Sequence, residues 1–471
     1  MVAAYLTENN LSAIETGPDL MKDVCPDSTD GWVDTSTNWP VLGEKTTTTA
    51  ESSAVRIASI PHQVPTEQMW TTDEGLNWGK GTTGEPTDEH ERTETFEAMG
   101  LDDNILHGIY SYGFEKPSPI QQLAIKPLAQ GQDVIAQAQA GTGKTAAFTL
   151  GMLQRIDPSQ ARTQAIVLVP TRVLADMHLG CIQALGEHRK VNAIRCIGGT
   201  SQREDQRKVA AGAHVVIGTP GRVKGLVEMG CLRMENIKVM VMDEADELLR
   251  DGENGFQDQV KDIVRYVPED CQMGIFSATF SPQVLEAVKR FMRDPLRILV
   301  KPEEITMRHI KQFFIALHEP WKLDTLMDLY DTISVTQSII FVNTITKLEY
   351  LKAEMTERDF AVSCYHAEMD MQERNEVIKN YKRGLSRVLI ATDILARGID
   401  IETVSLVINY DIPYDKEKYI HRIGRSGRAS KKGVAINFVT ERDVRALQAI
   451  EDFFKVDIEE LPISGDLAKL I

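Results

Sequence analysis

Cysteine is scarce and dispersed. The six cysteines (Cys25, Cys181, Cys196, Cys231, Cys271 and Cys364) lie far apart in 471 residues and never form a C-x-x-C pair. That spacing argues against a disulfide framework or a zinc site and leaves reduced, buried thiols as the default. Long apolar runs are missing too, since no stretch approaches the roughly 18 residues that span a bilayer. The opening residues, Met1-Val2-Ala3-Ala4-Tyr5-Leu6-Thr7-Glu8, have no basic n-region and too short an apolar run for a signal peptide. An intracellular protein follows, with the cytoplasm expected and the nucleus as the alternative. Positive charge is also short. Against 69 Asp+Glu there are 52 Lys+Arg, a net charge of −17 and a pI near 5.2. A chain that holds nucleic acid by bulk charge is thereby excluded.

The deficit is uneven. Residues 1–93 carry 16 acidic and 5 basic side chains, whereas the remaining 378 residues are nearly balanced, at −6. This first segment is rich in Thr, Ser, Gly and acid and shows no sustained period, so a disordered acidic tail is expected over 1–93. Four of the five tryptophans, Trp32, Trp39, Trp70 and Trp78, fall within it, and short partner-binding anchors are one reading of them.

From residue 94 the texture becomes short apolar runs alternating with helical patterns. Strands are predicted at 133–138, 165–169, 193–197, 214–218, 239–242 and 273–276, then at 312–317, 338–342, 361–365, 387–391, 404–409 and 433–439. A helix is predicted over 282–293, capped by Ser281, with Pro282 at its first position. Alternating strands and helices imply α/β domains with parallel sheets covered on both faces. Two such domains are expected, 94–302 and 303–471, joined by a short linker around Lys301-Pro302-Glu303-Glu304, with the hinge near 300–308.

The sharpest motif is Ala138-Gln139-Ala140-Gly141-Thr142-Gly143-Lys144-Thr145, between an apolar strand and a helix. Glycines at 141 and 143 let backbone N–H groups curl around phosphate oxygens at a helix N-terminus. Lys144 would reach the β- and γ-phosphates, and the Thr145 hydroxyl would bind Mg²⁺. Val239-Met240-Val241-Met242 then leads into Asp243-Glu244-Ala245-Asp246, which places carboxylates at the C-terminal end of a strand, where open α/β sheets bind ligands. Asp243 suits the metal through water, and Glu244 suits deprotonation of an attacking water. His421-Arg422-Ile423-Gly424-Arg425-Ser426-Gly427-Arg428 supplies glycine-spaced arginines able to neutralise charge on a γ-phosphate. ATP and Mg²⁺ are the expected cofactors.

In these motifs, and in their order, the chain resembles the DEAD-box ATP-dependent RNA helicases of superfamily 2, most of all the translation-initiation branch. The resemblance spans about 94–471 and implies two RecA-like domains, with a core that acts as a monomer. It implies that Gln121 pairs with adenine, that Phe114 stacks on it with Phe96 as an upstream aromatic, and that Asp400 touches the ribose. Within the phosphate loop it includes Ala140, Gly141, Thr142 and Gly143. It casts Ser277-Ala278-Thr279, with Asp246 and His421, as the element coupling ATP state to RNA. Arg425 and Arg428 match the finger positions, while Arg422 belongs to the motif without that role. RNA-facing matches are Pro170, Thr171, Arg172, Gly198, Gly199, Thr219, Pro220, Gly221, Arg222, Asn343, Thr344 and Thr392. The implied substrate is single-stranded or weakly paired RNA, bound without sequence preference, and the implied protein partner is a scaffold of initiation-factor or exon-junction type.

Two other outcomes follow from details of the sequence. Met99-Gly100-Leu101, Lys311-Gln312-Phe313-Phe314 and Ser426 resemble an exon-junction relative, which implies an ATP-locked RNA clamp, whereas Asp331-Thr332-Ile333-Ser334-Val335 looks more like some initiation factors; the tryptophan-bearing tail would suit a partly degenerate scaffold. Departures from the family pattern gather on the RNA side. They are Val173 for Glu, Ile345-Thr346 for two arginines, Ala367-Glu368 for Gly-Asp and Met371 for Gln, besides a longer segment before Gly255-Phe256. Intact ATP chemistry with weakened RNA affinity is the expectation.

Overall fold

The two predicted strand series fold into two sheets with one connectivity. The structure is a computed structural model that describes residues 92–139, 141–252, 255–299, 310–333, 335–395, 404–426 and 433–462. The expected tail and the linker near 300–308 therefore lie outside the described residues, apart from residues 92 and 93. The first sheet comprises β1 (Val134–Gln137), β2 (Ala165–Leu168), β3 (Ala193–Cys196), β4 (Val215–Gly218), β5 (Val239–Asp243), β6 (Gln272–Ser277) and β7 (Leu296–Ile298). The second comprises β8 (Ile310–Ala316), β9 (Ser338–Phe341), β10 (Val362–Tyr365), β11 (Val388–Ala391), β12 (Leu406–Asn409), β13 (Gly433–Val439) and β14 (Glu459–Glu460). Their orders are β3-β4-β2-β5-β6-β1-β7 and β10-β11-β9-β12-β13-β8-β14. Every pairing is parallel. Counted from its own first strand, each sheet has the same order, and each is RecA-like.

Strand period two divides each core. In the first lobe Val134, Ala136, Val167 and Val215 enter one cluster, while their neighbours Ile135, Ile166 and Val216 enter the other. In the second lobe Ile340, Ile390, Ile408 and Ile436 face one way and Ile339, Phe341, Leu389 and Val407 the other. Burial on both faces explains why these strands read as continuous apolar runs rather than as alternation.

Two edge strands, β7 and β14, were not predicted. Leu296-Arg297-Ile298 and Glu459-Glu460 are short and charged, as edges exposed to further pairing tend to be. The helix predicted over 282–293 needs correction, because it ends at Val288. Ser281 does cap it, accepting from the Val284 amide at 3.3 Å. The Arg293 amide instead donates to the Asp133 carboxylate at 2.8 Å, which turns the chain towards β7. Phe291 and Met292 still pack on the same core. Among the described residues no helix is long and apolar enough to cross a membrane. Cys181, Cys196, Cys231, Cys271 and Cys364 are free thiols, and burial pushes Cys196 up to about 12.

Arg422 is the polar pin of the second lobe. It is fully buried and lies 5.3 Å from the Phe341 ring centroid. Its Nε donates to Asp393 at 2.6 Å, Nη1 to the Asp411 carbonyl at 2.7 Å and Nη2 to Asn343 Oδ1 at 2.7 Å. Removing one partner of a buried charge network leaves the others desolvated and unpaired. Arg422→Met should destabilise the second lobe by about 3 kcal/mol in urea unfolding; a loss below about 0.5 kcal/mol would show the pin to be dispensable.

Candidate functional site

The phosphate-loop motif leaves β1 and enters the helix Lys144–Arg155. Gly141 and Gly143 have φ of 80° and 97°, a region that favours glycine. At Gly143 there is a second constraint, since a Cβ would stand 2.4 Å from Gln121 Nε2. That amide donates to the Gly143 carbonyl at 3.3 Å, while Gln121 Oε1 accepts from the Ser118 amide at 2.9 Å. Gln121 thus braces the loop from the start of the helix Pro119–Gln130. Thr142 Oγ1 donates to the Gln139 carbonyl at 2.8 Å. Lys144 is buried, and its Nζ donates to the Ala138 carbonyl at 2.8 Å. Phe114 packs against Tyr112 with ring centroids 4.9 Å apart. Phe96 is 1% exposed within the core, so the structure gives it a packing position. Ala140 lies outside the described residues.

The carboxylates stand at the end of β5. Asp243 is buried and its Oδ2 lies 2.8 Å from His178 Nε2, while Oδ1 has no hydrogen-bond partner. Burial pushes its carboxyl up. The hydrogen bond and attraction to His178, the Lys144 ammonium and the Glu244 amide outweigh that effect and hold it below the usual carboxylate range. Glu244 takes a left-handed conformation, φ 54° and ψ 50°, which is rare for a residue with a side chain and clusters at functional sites. Its buried Oε2 has no hydrogen-bond partner and lies 3.8 Å from His421 Nδ1.

Asp246 gathers the residues expected to couple ATP state to RNA. Ser277 Oγ donates to it at 2.7 Å and Thr279 Oγ1 at 3.2 Å, and His421 Nε2 lies 3.0 Å away. Ala278 is held by its carbonyl, which accepts from Gln137 Nε2 at 3.2 Å. His421 belongs to the second lobe, so the network crosses between lobes. A second crossing is the ion pair of Arg250 with Asp415. Arg425, one turn beyond, is buried and donates from Nε to the His421 carbonyl at 3.1 Å. Arg428 and Asp400 lie outside the described residues.

A bound Mg²⁺ fits the donors present. Asp243 Oδ1 is an orphaned buried carboxylate oxygen, and the carboxylate is attracted by the ammonium of Lys144, the neighbour of Thr145. Among the described residues one three-residue group of metal-capable side chains also converges, Glu244 with Asp246 and His421. Its atoms already belong to the interlobe network.

The RNA-facing candidates sit where helices begin at strand ends. Thr171 caps Arg172–Gly186, accepting from the Leu174 amide at 3.3 Å. Thr344 caps Ile345–Glu357, accepting from Lys347 at 3.3 Å. Thr219 and Pro220 open Pro220–Glu228, with Gly221 exposed in its first turn. Pro170 is buried behind Thr171. Thr392 follows β11, and its amide donates to the Tyr365 carbonyl at 3.3 Å. At Gly199, φ 82°, a Cβ would stand 2.7 Å from the Arg172 guanidinium, which also lies beside Gly198. Two candidates are occupied within their own lobes. Arg222 donates to the Thr200 carbonyl at 2.8 Å and pairs with Asp205. Asn343 is held by Arg422 and donates from Nδ2 to the Ile412 carbonyl at 2.8 Å. Val173 packs against the second-lobe cluster containing Phe341 and Leu395.

Comparison with known proteins decides among chemistries. Residues 118–288 match the family DEAD/DEAH box helicase, and residues 321–430 match Helicase conserved C-terminal domain. ATP-dependent RNA helicase FAL1 of Mycosarcoma maydis is 53% identical over 391 residues, covering 83% of this chain and 98% of that protein. Eukaryotic initiation factor 4A of Caenorhabditis elegans is 53% identical over 372 residues, covering 79% and 92%. The chain belongs to the DEAD-box family of ATP-dependent RNA helicases. Its structure is similar to that of S. cerevisiae Dbp5 bound to RNA and ADP BeF3, with a TM-score of 0.73 and 38% identity over 78% of this chain and 95% of that one.

One residue of this DEAD-box helicase escaped the sequence reading. His178 sits in the buried stripe Leu174, Ala175, His178, Cys181, Ile182 and Leu185. A lone ionisable residue within an apolar stripe is the signal that could have found it.

The lobe crossing also has a pH signature. Burial, then the hydrogen bond and charge of Asp415, raise the Glu417 carboxyl to about 7. A carboxyl raised on folding stabilises most below its ordinary range, and that contribution is lost as pH rises towards 7. Glu417→Gln should therefore stabilise the protein by about 1 kcal/mol near pH 8, after discounting for solvent screening, and by less near pH 5.5. Urea unfolding at both pH values checks it; a gain independent of pH would contradict the assignment.

Proposed function

We propose that the protein is an RNA-stimulated ATPase that closes its lobes, 94–302 and 303–471, over single-stranded RNA and separates short duplexes. The observation that carries this is the Asp246 network, in which the residues beside the ATP carboxylates bond across the lobes to His421. A signal about the second lobe reaches the hydrolytic centre through one side chain.

These roles are the ones the family resemblance implies, and the positions of the described residues support them. Gln121 and Phe114 hold adenine, with Phe96 behind them in the core, and Asp400 meets the ribose. Backbone amides from Ala140 to Gly143 receive the phosphates, and Lys144 exchanges the Ala138 carbonyl for phosphate oxygens. Mg²⁺, held by Thr145 and by Asp243 through water, would neutralise charge on the β- and γ-phosphates. Glu244 takes the proton of the attacking water. Arg425 and Arg428 stabilise charge on the transferred group once the lobes close. Helix starts at Thr171, Thr219 and Thr344, with Arg172, Gly198, Gly199 and Thr392, receive RNA phosphates and 2′-hydroxyls. Arg222 and Asn343 shape those surfaces from within. Release of RNA follows hydrolysis.

A role in translation initiation is supported by the 53% identity with Eukaryotic initiation factor 4A of C. elegans, and a cytoplasmic site and a protein scaffold belong to the same proposal. Two outcomes test the reading. Glu244→Gln should lower RNA-stimulated ATP turnover by at least about 100-fold while nucleotide still binds; turnover above a tenth of the parent would refute the role. The double variant Ile345→Arg/Thr346→Arg should bind RNA more tightly and with a steeper salt dependence. Equal RNA stimulation of ATPase in both proteins would show that those positions do not limit RNA response.

A further inference from the structure

We infer that His178 is a positioning residue for Asp243, reserving one carboxylate oxygen for the metal's water shell. This rests on the proposed assignment of Asp243 to Mg²⁺. The side chain of His178 is 1% exposed, in a stripe otherwise made of Leu174, Ala175, Cys181, Ile182 and Leu185. The edge of its ring meets Phe148 at 5.3 Å and 78°. Phe148 lies on the helix that begins at Lys144, and it also packs on Phe276 of β6, 5.3 Å away. The ring is thus fixed from the same elements that carry the phosphate loop and the coupling motif.

Its polar atoms are used with economy. Nε2 lies 2.8 Å from Asp243 Oδ2. Nδ1 has no hydrogen-bond partner, and neither has Asp243 Oδ1. A leucine would fill such an apolar pocket without desolvating a ring nitrogen, so packing alone does not call for an imidazole. What the imidazole adds is a donor to Oδ2. With Oδ2 held, the carboxylate cannot spin about its terminal torsion or swing both oxygens onto the Lys144 ammonium. Oδ1 is then left buried with its lone pairs unspent. Partners of ligating carboxylates that act in this way typically change metal affinity by about 10–100-fold when removed.

The test reads binding rather than turnover. The full chain is titrated with a fluorescent N-methylanthraniloyl ADP across a series of Mg²⁺ concentrations and in EDTA. For His178→Leu the Mg²⁺ midpoint should rise about 10-fold, with affinity in EDTA unchanged. His178→Gln, which keeps an amide donor at similar reach, should stay within about 3-fold of the parent. An unshifted midpoint for His178→Leu, or a glutamine variant shifted as far as the leucine one, overturns the inference. Nitrogen-15 resonances of the His178 ring in the unmutated protein give an answer that needs no variant to fold. Hydrogen on Nε2 supports the clamp, and Nε2 without hydrogen overturns it. Asp243→Asn separates the two levels. If it keeps the parent's Mg²⁺ dependence, the metal assignment itself fails. If it loses that dependence while His178→Leu does not, only the positioning role fails.

Discussion

Asp246 is one carboxylate shared among donors from two lobes. With its side chain 7% exposed, it would be costly alone, and its partners Ser277, Thr279 and His421 satisfy it at 2.7, 3.2 and 3.0 Å. The sheet topology makes this sharing possible. Strands β5, β6 and β1 are neighbours, so the carboxylates after β5, Ser277 at the end of β6 and the phosphate loop after β1 meet at adjacent strand ends. The Ala138 amide even donates to the Ser277 carbonyl, at 3.0 Å. Residues more than a hundred positions apart thus form one rigid edge, and the second lobe touches it through His421.

Most of this edge was legible in the sequence because its residues announce themselves by local context. A glycine-spaced lysine after an apolar strand and an acidic run at a strand end need no tertiary knowledge to be noticed. The central strands were legible for the same reason, being apolar on both faces. What escaped depends on contacts made elsewhere in the fold. Edge strands β7 and β14 carry Arg297, Glu459 and Glu460, and only their neighbours β1 and β8 make them strands. The helix starting at Pro282 stops short of Arg293, whose amide is taken by Asp133, 160 positions earlier and just ahead of β1. Phe96 looks like an available aromatic, yet it is core.

The polar residues teach a similar lesson. In the sequence Arg222 and Asn343 stand as candidates for RNA, and Arg422 belongs to the arginine motif without a finger role. The structure engages all three with partners of their own lobes, Asp205, Ile412 and Asp393 among them. They shape the helix starts from behind. Under the proposed function, affinity then rests on capped helix termini and a few exposed groups. This agrees with a net charge of only −6 over residues 94–471 and explains why bulk composition was a poor guide to an RNA-directed enzyme.

The central claim is that the Asp246–His421 contact ties nucleotide state to lobe closure. Energy transfer between dyes placed on the two lobes, with a non-hydrolysable ATP analogue and single-stranded RNA, measures that closure directly. The account predicts that Asp246→Asn still binds the analogue but no longer closes with RNA, whereas the unmutated protein closes only with both ligands. Closure of the variant to the same extent and at the same ligand concentrations would contradict it.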